Sequence, residues 1–425
     1  MLGLIRSERR RHALRRRRTI FLAGPCGLKT GGMYQVSVYL MQASSAEGEG
    51  DSGGDGRARL DLRDTRGPGS AVWSFLYVLL AIVRIVWARL AGHLAGVHIH
   101  VSERLSLVRK GLLVAACRAV GARVVMHLHA AQLEENYAAL PPAGRALVRW
   151  MFRLPHCCIA LGQGAASFLA VELGVDRDRI EIVTNGVPHP LASREPAPAA
   201  HGDEFKVLFV GNLSERKGVS VLLRALAHPT LRQVPVALTL AGHGDIAGYE
   251  ALAQELGVAH KVKFTGWADK ATVDRLLAQC DVFVLPSFNE GLPLAILEAL
   301  ALGVPTVCTP VGEIPHVLEH GRTAHLVAAG DHEALAGAIA RLRGQPALRA
   351  ALSQGGRAAY ERRFSLDVFA RAVAGVHLRH FGASSLAHDG AGVDVLLPSS
   401  TRDALEALNV LRMDDPAPPG LNLIV

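Results

Sequence analysis

Short apolar runs alternate with segments of helical period along most of this 425-residue chain, and that alternation is the strongest constraint on its fold. Ile20–Ala23, Leu60–Leu62, Val97–Val101, Val124–Leu128, Cys158–Leu161 and Ile180–Val183 read as strands of the first half. Val207–Val210, Leu238–Ala241, Val262–Gly266 and the run from Asp281 do so in the second. Strands that take turns with helices predict an α/β fold, with parallel sheets flanked by helices on both sides. Residues 188–204 are rich in Pro and Ala and poor in large apolar side chains, so they read as a linker between two such units, residues 19–187 and 205–365. Half of the residues are hydrophobic, enough to bury two sizeable cores. The Gly-, Ser- and acid-rich residues 43–56 are expected to form a mobile excursion.

In the second half, Pro286-Ser287-Phe288-Asn289-Glu290-Gly291-Leu292-Pro293-Leu294 opens a helix that runs to Leu300. It places two carboxylates eight residues apart, Glu290 in a polar loop and Glu298 inside the helix. Pro293 at the helix start and Gly303 just past its end are ordinary helix punctuation. Glu298 lies among Ile296, Leu297, Leu300 and Leu302, where a carboxylate is costly to bury unless a partner takes its hydrogen bonds. Eight helical residues rise about 12 Å, comparable to a nucleotide-sugar from ribose to hexose. Glycosidase carboxylates stand about 5 to 9.5 Å apart across one bond, so this pair suits a grip on both ends of one ligand.

The formal charge of +8 sits almost wholly in residues 1–18, where eight arginines less Glu8 supply +7. The body is therefore nearly neutral, which argues against nucleic acid as a partner. Two readings of the arm stand open. It is either a strip that lies on anionic lipid, at about 1 kcal/mol per basic residue, or a solvated tail or upstream start. The apolar stretch Ile20–Gly24 is too short for a signal peptide and ends in Pro25. Six cysteines without regular spacing suggest neither a disulfide framework nor a zinc site, so a reducing cytoplasm is the simplest setting. Ala71–Val83 is the one long apolar run, and Arg84 and Arg89 cut it short of the roughly 20 residues of a membrane span. Its large side chains make it a core or interfacial helix, with packing in the core as the expectation.

The segment around Glu290 and Glu298 closely resembles the E-x7-E signature of the retaining GT-B glycosyltransferases of family 4. Other parts agree in family order. Val207–Val210 leads into Gly211-Asn212-Leu213-Ser214-Glu215-Arg216-Lys217-Gly218, and Leu238–Asp245 has the strand and glycine turn. Two more strands follow, and Asn185-Gly186-Val187 marks the end of the first domain. The resemblance runs from about Thr19 to Phe381. It implies two Rossmann-like domains facing each other across a cleft, with helix Leu366–Phe381 crossing back onto the first. Residues 382–425 have no counterpart and are expected to be loosely ordered.

The implied roles follow residue by residue. Glu298 would accept hydrogen bonds from the donor ribose and Glu290 would meet hydroxyls of the transferred hexose. Backbone NH groups near Gly291, Leu292 and Leu294 would hold diphosphate and sugar oxygens. Lys217 would neutralise the leaving diphosphate. The family commonly has arginine five residues before this lysine, where this chain has Asn212, and Arg216 is the candidate for that second cationic contact. Gly31 and Gly32 stand where the family has its glycine-rich loop. His129 matches the family histidine near the sugar, although Ala130 replaces the usual glycine. His127 and His129 alternate along one strand, and one of them is expected to face the cleft. Ser102, Arg109 and Lys110 are candidates for an anionic acceptor.

The resemblance thus implies hexosyl transfer with retention from a UDP- or GDP-sugar to a lipid-linked or glycan acceptor. Neither metal nor cofactor is called for, and the cytoplasm is the expected place, with a peripheral position on the inner face of the membrane left open. Val97–Ser102, Arg109-Lys110 and His127-Leu128-His129 resemble bacterial polysaccharide-assembly members. Rival readings are a GT-B-like epimerase or phosphorylase, and a silent membrane-docking relative. Three near-matches are set aside. Gly24–Thr30 lacks the Gly-Lys pair of a phosphate-binding P-loop, Asp176-Arg177-Asp178 sits in a polar turn, and no G-x-G-x-x-G follows the first strand.

Overall fold

The computed structural model describes residues 18–26, 31–46, 58–67, 71–103, 105–190 and 204–386. All of the basic arm but Arg18, most of the 43–56 excursion, residues 191–203 of the linker and residues 387–425 of the tail lie outside them.

Two parallel six-stranded sheets carry the fold. The first contains β1 (Arg18–Gly24), β2 (Ala58–Asp64), β3 (Leu94–Val101), β4 (Val124–Leu128), β5 (Cys157–Ala160) and β6 (Ile180–Ile182), in the order β2-β1-β3-β4-β5-β6. The second contains β7 (Phe205–Val210), β8 (Val236–Ala241), β9 (Val262–Gly266), β10 (Val282–Leu285), β11 (Thr306–Cys308) and β12 (His325–Leu326), in the order β12-β11-β10-β7-β8-β9. Central strands such as β4 and β10 are buried at every residue, so they read as continuous apolar runs rather than alternating ones. These are the two Rossmann-like domains, and they meet across a cleft.

Each sheet changes direction once, between β1 and β3 in the first and between β7 and β10 in the second. In open parallel sheets the crevice outside the strand ends at such a point is where ligands bind. Gly31 and Gly32 follow β1, Arg216 and Lys217 follow β7, and Glu290 follows β10. Topology alone therefore brings the three sequence motifs to two facing crevices.

Seven helices position the site and its surroundings: α1 (Gly32–Ala46), α2 (Ala71–Leu90), α3 (Leu105–Ala119), α4 (Pro142–Arg153), α5 (Gln163–Val171), α6 (Leu294–Ala301) and α7 (Leu366–Phe381). α7 crosses back to the first domain, where Phe369, Val373, Val376 and Phe381 join Ile20, Leu22 and Val125 in one core. The residues directly after it are packed, which corrects the expectation of a loose tail from residue 382. Ala383 to Leu386 are buried, and the Ser384 carbonyl accepts the Ala58 amide at 2.7 Å. β2 is an edge strand, and this bond satisfies an amide at its start.

α2 departs from its expected place in the core. Ser74, Val78, Ala81, Ile85 and Ala88 recur every three or four residues and dock on the domain. The bulkier Trp73, Leu76, Leu79, Leu80, Val83 and Trp87 point away from it. Small side chains let the helix approach the sheet, and among the described residues no further element covers its outer face.

Candidate active site

Glu290 is buried, and three side chains hold it. Lys217 donates to Oε1 at 2.5 Å, Ser287 Oγ to the same oxygen at 2.7 Å, and Arg216 stands 3.6 Å from Oε2. Arg216 also donates to the Asn289 carbonyl at 2.7 Å. The guanidinium thus faces the site. Asn212 is exposed on the loop after β7. Two glycines make this arrangement possible. At Gly218 the backbone has φ +71°, and a Cβ there would stand 2.0 Å from the Pro286 carbonyl oxygen; at Gly312, with φ +58°, it would stand 1.9 Å from that of Glu290.

At the other end of the segment Glu298 is buried on α6. Tyr39 Oη, from α1 of the first domain, donates to its Oε1 at 3.0 Å, and Lys270 Nζ lies 3.6 Å from that oxygen. Lys270 also pairs with Asp274. Burial pushes the Glu298 carboxyl above its usual range, and Lys270 and Tyr39 pull it partly back. The same burial, with the adjacent carboxylate, pushes the Tyr39 phenol up. No side chain caps the first turn of α6, and the Leu294 side chain there lies 3.7 Å from the position of a Cβ on Gly32. A Cβ on Gly291 would stand 3.9 Å from the His129 carbonyl oxygen. Leu292 is buried, and its carbonyl accepts Asn185 Nδ2 at 3.1 Å.

Further bonds cross the cleft. Asn289 Nδ2 donates to Glu135 at 2.9 Å, and Glu313 accepts the Gly164 and Ala165 amides at 3.2 and 2.6 Å, at the N-terminus of α5. A cavity of about 340 Å³ lies between the domains, lined by Glu134, Glu135 and Phe168 on one side and Glu290, Gly291 and Glu313 on the other.

His127 and His129 do not divide between the two faces of β4. Positions i and i+2 of a strand point the same way, and their ring centroids are 4.1 Å apart. His98 and His100 join them from β3, where His100 is in register with His127. His100 Nδ1 is 2.8 Å from His129 Nε2, and His98 spans His377 of α7 at 2.8 Å and His127 at 3.3 Å. Burial drives all five imidazoles toward the neutral form, with His129 and His377 down to about 3.

The acceptor candidates part company. Ser102 is half-buried at the end of β3, its amide bonded to Ser106 Oγ. Arg109 is half-buried, and its Nε has no hydrogen-bond partner among the described residues. Lys110 turns inward beneath β1, donating to the Ala23 carbonyl at 3.0 Å and to Thr65. Burial, with Arg109 beside it, brings its ammonium down to about 7.

Residues 28–186 match the family model described as glycosyl transferase 4-like domain, and residues 204–345 match that of the group 1 glycosyl transferases. The chain belongs to the group 1, family 4-like GT-B glycosyltransferases. A lipopolysaccharide core biosynthesis glycosyltransferase of Rhizobium meliloti is 36% identical over 48% of this chain and 60% of its own. An uncharacterised glycosyltransferase of Methanocaldococcus jannaschii is 40% identical over 28% and 30%. The chain thus spans about a third to three-fifths of the length of these relatives. Sucrose-phosphate synthase from Thermosynechococcus elongatus shares the fold with a TM-score of 0.70 at 20% identity, covering 87% of this chain and 100% of that one. Anabaena HepE, solved with UDP and glucose, does so at 0.65 and 19%, covering 84% and 99%.

In this chain the ring nitrogens of His98, His100 and His127 lie within 4.8 Å of one another, a spacing that could hold a metal ion. His98 already spends both nitrogens on other imidazoles, so a cation there would have to break those bonds. Sequence reasoning missed Tyr39, Lys270 and Glu313 as partners in the cleft. Tyr39 carries no signal, since a tyrosine among apolar helix residues reads as core. The histidine cluster was open to detection through the period-2 rule and the two H-x-H runs.

Proposed function

We propose that this glycosyltransferase transfers a hexosyl group with retention, from a UDP- or GDP-linked sugar to a lipid-linked or glycan acceptor. The observation that carries the reading is the paired burial of Glu290 against Lys217 and Arg216 and of Glu298 against Tyr39 and Lys270, at the two ends of one cleft-facing segment. Lys217 and Arg216 would meet the diphosphate, helped by the N-terminus of α6. Glu298 would take the ribose hydroxyls in place of the Tyr39 hydroxyl, and Glu290 the hexose. His129 would enter as a neutral hydrogen-bonding group. The bond from the anomeric carbon to the phosphate oxygen breaks as the acceptor oxygen bonds that carbon on the same face. The acceptor proton passes to the departing phosphate. The contacts that close the cleft would exclude water and favour transfer over hydrolysis.

The structural neighbour solved with UDP and glucose supports a nucleotide-sugar donor. Relatives named for lipopolysaccharide core and amylovoran biosynthesis support a glycan or lipid-linked acceptor. The six cysteines, none of them joined in a disulfide, support a reducing, cytoplasmic side for the reaction. A panel of UDP- and GDP-sugars screened for a rise in melting temperature would find the donor. NMR of the product would then show the donor's anomeric configuration kept. An inverted linkage, or free epimer or sugar phosphate without transfer, would overturn the reading.

A further inference from the structure

Counted over Trp73–Leu90, with Arg84 and Arg89 included, α2 is long and apolar enough to cross a membrane by length and composition, which corrects the shorter run read from the sequence. It does not stand free to do so, because Ser74, Val78, Ala81, Ile85 and Ala88 dock it on the first domain along most of its length. Its other face is left bare: Trp73 is 60% exposed, Leu80 50% and Trp87 68%. α3 packs beside α2 and α4 beside α3, and they extend the surface with Val108, Leu112 and Trp150. Soluble proteins rarely leave so broad an apolar face uncovered.

Charge selects the occupant. The three helices carry seven arginines and no Asp or Glu, and Arg84 and Arg89 are exposed on α2 itself. A second copy laid on this face would set arginine against arginine with no carboxylate between them. An anionic lipid surface meets both demands at once, with headgroups for the guanidinium groups and acyl chains for the Leu and Val side chains. Three of the chain's four tryptophans lie on this face, and tryptophan favours the membrane–water boundary.

We propose that α2, α3 and α4 form a docking face for the surface of an anionic bilayer, with α2 lying in the plane of the interface. The proposal names the surface on which a lipid-linked acceptor would be met, and it rests on the proposed function for the acceptor alone. The docking itself stands or falls without any sugar.

The test mixes the full chain with vesicles of phosphatidylcholine, alone or with phosphatidylglycerol, and follows cosedimentation and tryptophan emission. Expected are binding and a blue shift with the anionic vesicles, both weakened by salt. The doubly substituted Leu80→Glu, Val83→Glu chain should bind at least about tenfold more weakly, with unchanged melting temperature and nucleotide-sugar response. Arg84→Glu with Arg89→Glu should lose the preference for anionic vesicles. Several results would overturn the proposal: no binding to either vesicle, binding unaffected by the Glu substitutions, or binding abolished by replacing the arginines of residues 6–17 with Gln while α2 is intact. A salt-resistant dimer that Leu80→Glu dissolves would assign the face to a second copy instead.

Discussion

The Tyr39 hydroxyl, on the first helix of one domain, donates to the Glu298 carboxylate on the other at 3.0 Å, across 259 positions of sequence. One hydrogen bond thus both satisfies a buried carboxylate and joins the two walls of the cleft. Under the proposed function, a ribose bound to Glu298 would take the place of this hydroxyl, which would couple donor binding to the contact between domains.

Glu298→Ala should raise the Kd for the nucleotide-sugar about tenfold to a hundredfold, the worth of hydrogen bonds to a charged group at about 1.5–3 kcal/mol. Tyr39→Phe removes the competitor and should lower Kd. Calorimetric titration of both variants checks the pair, and a weaker affinity in Tyr39→Phe would contradict the exchange.

Acid should weaken donor binding through the same carboxylate. Burial holds the Glu298 carboxyl above the ordinary 4.5, and its ionised form is the stronger acceptor for the ribose hydroxyls proposed to bind it. Affinity is therefore full above the folded pKa and falls as the pH drops through it. For stability the sign is opposite. A raised carboxyl pKa favours the folded state below 4.5, and that contribution is lost as the pH rises through the folded value. Kd measured against pH should flatten in Glu298→Gln.

Lys217→Ala should reduce kcat by roughly a hundredfold to a thousandfold, as for removal of a group that stabilises charge developing in the transition state. Lys217→Arg should recover part of it. Steady-state transfer rates at saturating donor make the comparison. A fall in donor affinity with kcat unchanged would move this lysine out of the chemistry.

Gly312→Ala should cost about 1–3 kcal/mol for the left-handed backbone and more for the clash with the Glu290 carbonyl. Gly337 is exposed on the solvent side of the helix His332–Gly344, with open space around it, and Gly337→Ala should add about 0.4–1 kcal/mol. Thermal melts of the two variants should move in opposite directions.

The five buried imidazoles should make the protein sensitive to acid. The unfolded chain takes up protons below 6.5, while His129 and His377 in the fold wait until about 3. Their stabilisation is whole above 6.5 and drains away as the pH falls, at up to about 1.4 kcal/mol per pH unit for each histidine. Tm measured against pH should fall steeply below 6, and His377→Phe should reduce the slope by about one proton.

Much of the molecule was legible in the residue order. The alternation of strands and helices named both sheets, because the periods of 2 and 3.6 are local properties of the backbone. Glu290, Glu298 and Lys217 could be picked out because a charge amid apolar neighbours, or beside a glycine turn, stands out within a dozen residues. Tertiary structure alone decided which groups meet these charges. Tyr39 reaches Glu298, Lys110 turns under β1, and His377 closes the imidazole cluster, because each is brought to its partner by a strand end or a crossing helix far away in sequence. The same holds for α2, whose composition says that it is apolar while only the packing says which side is left bare. Periodicity reveals that a face exists, and the neighbours that cover it are set by how the whole chain folds.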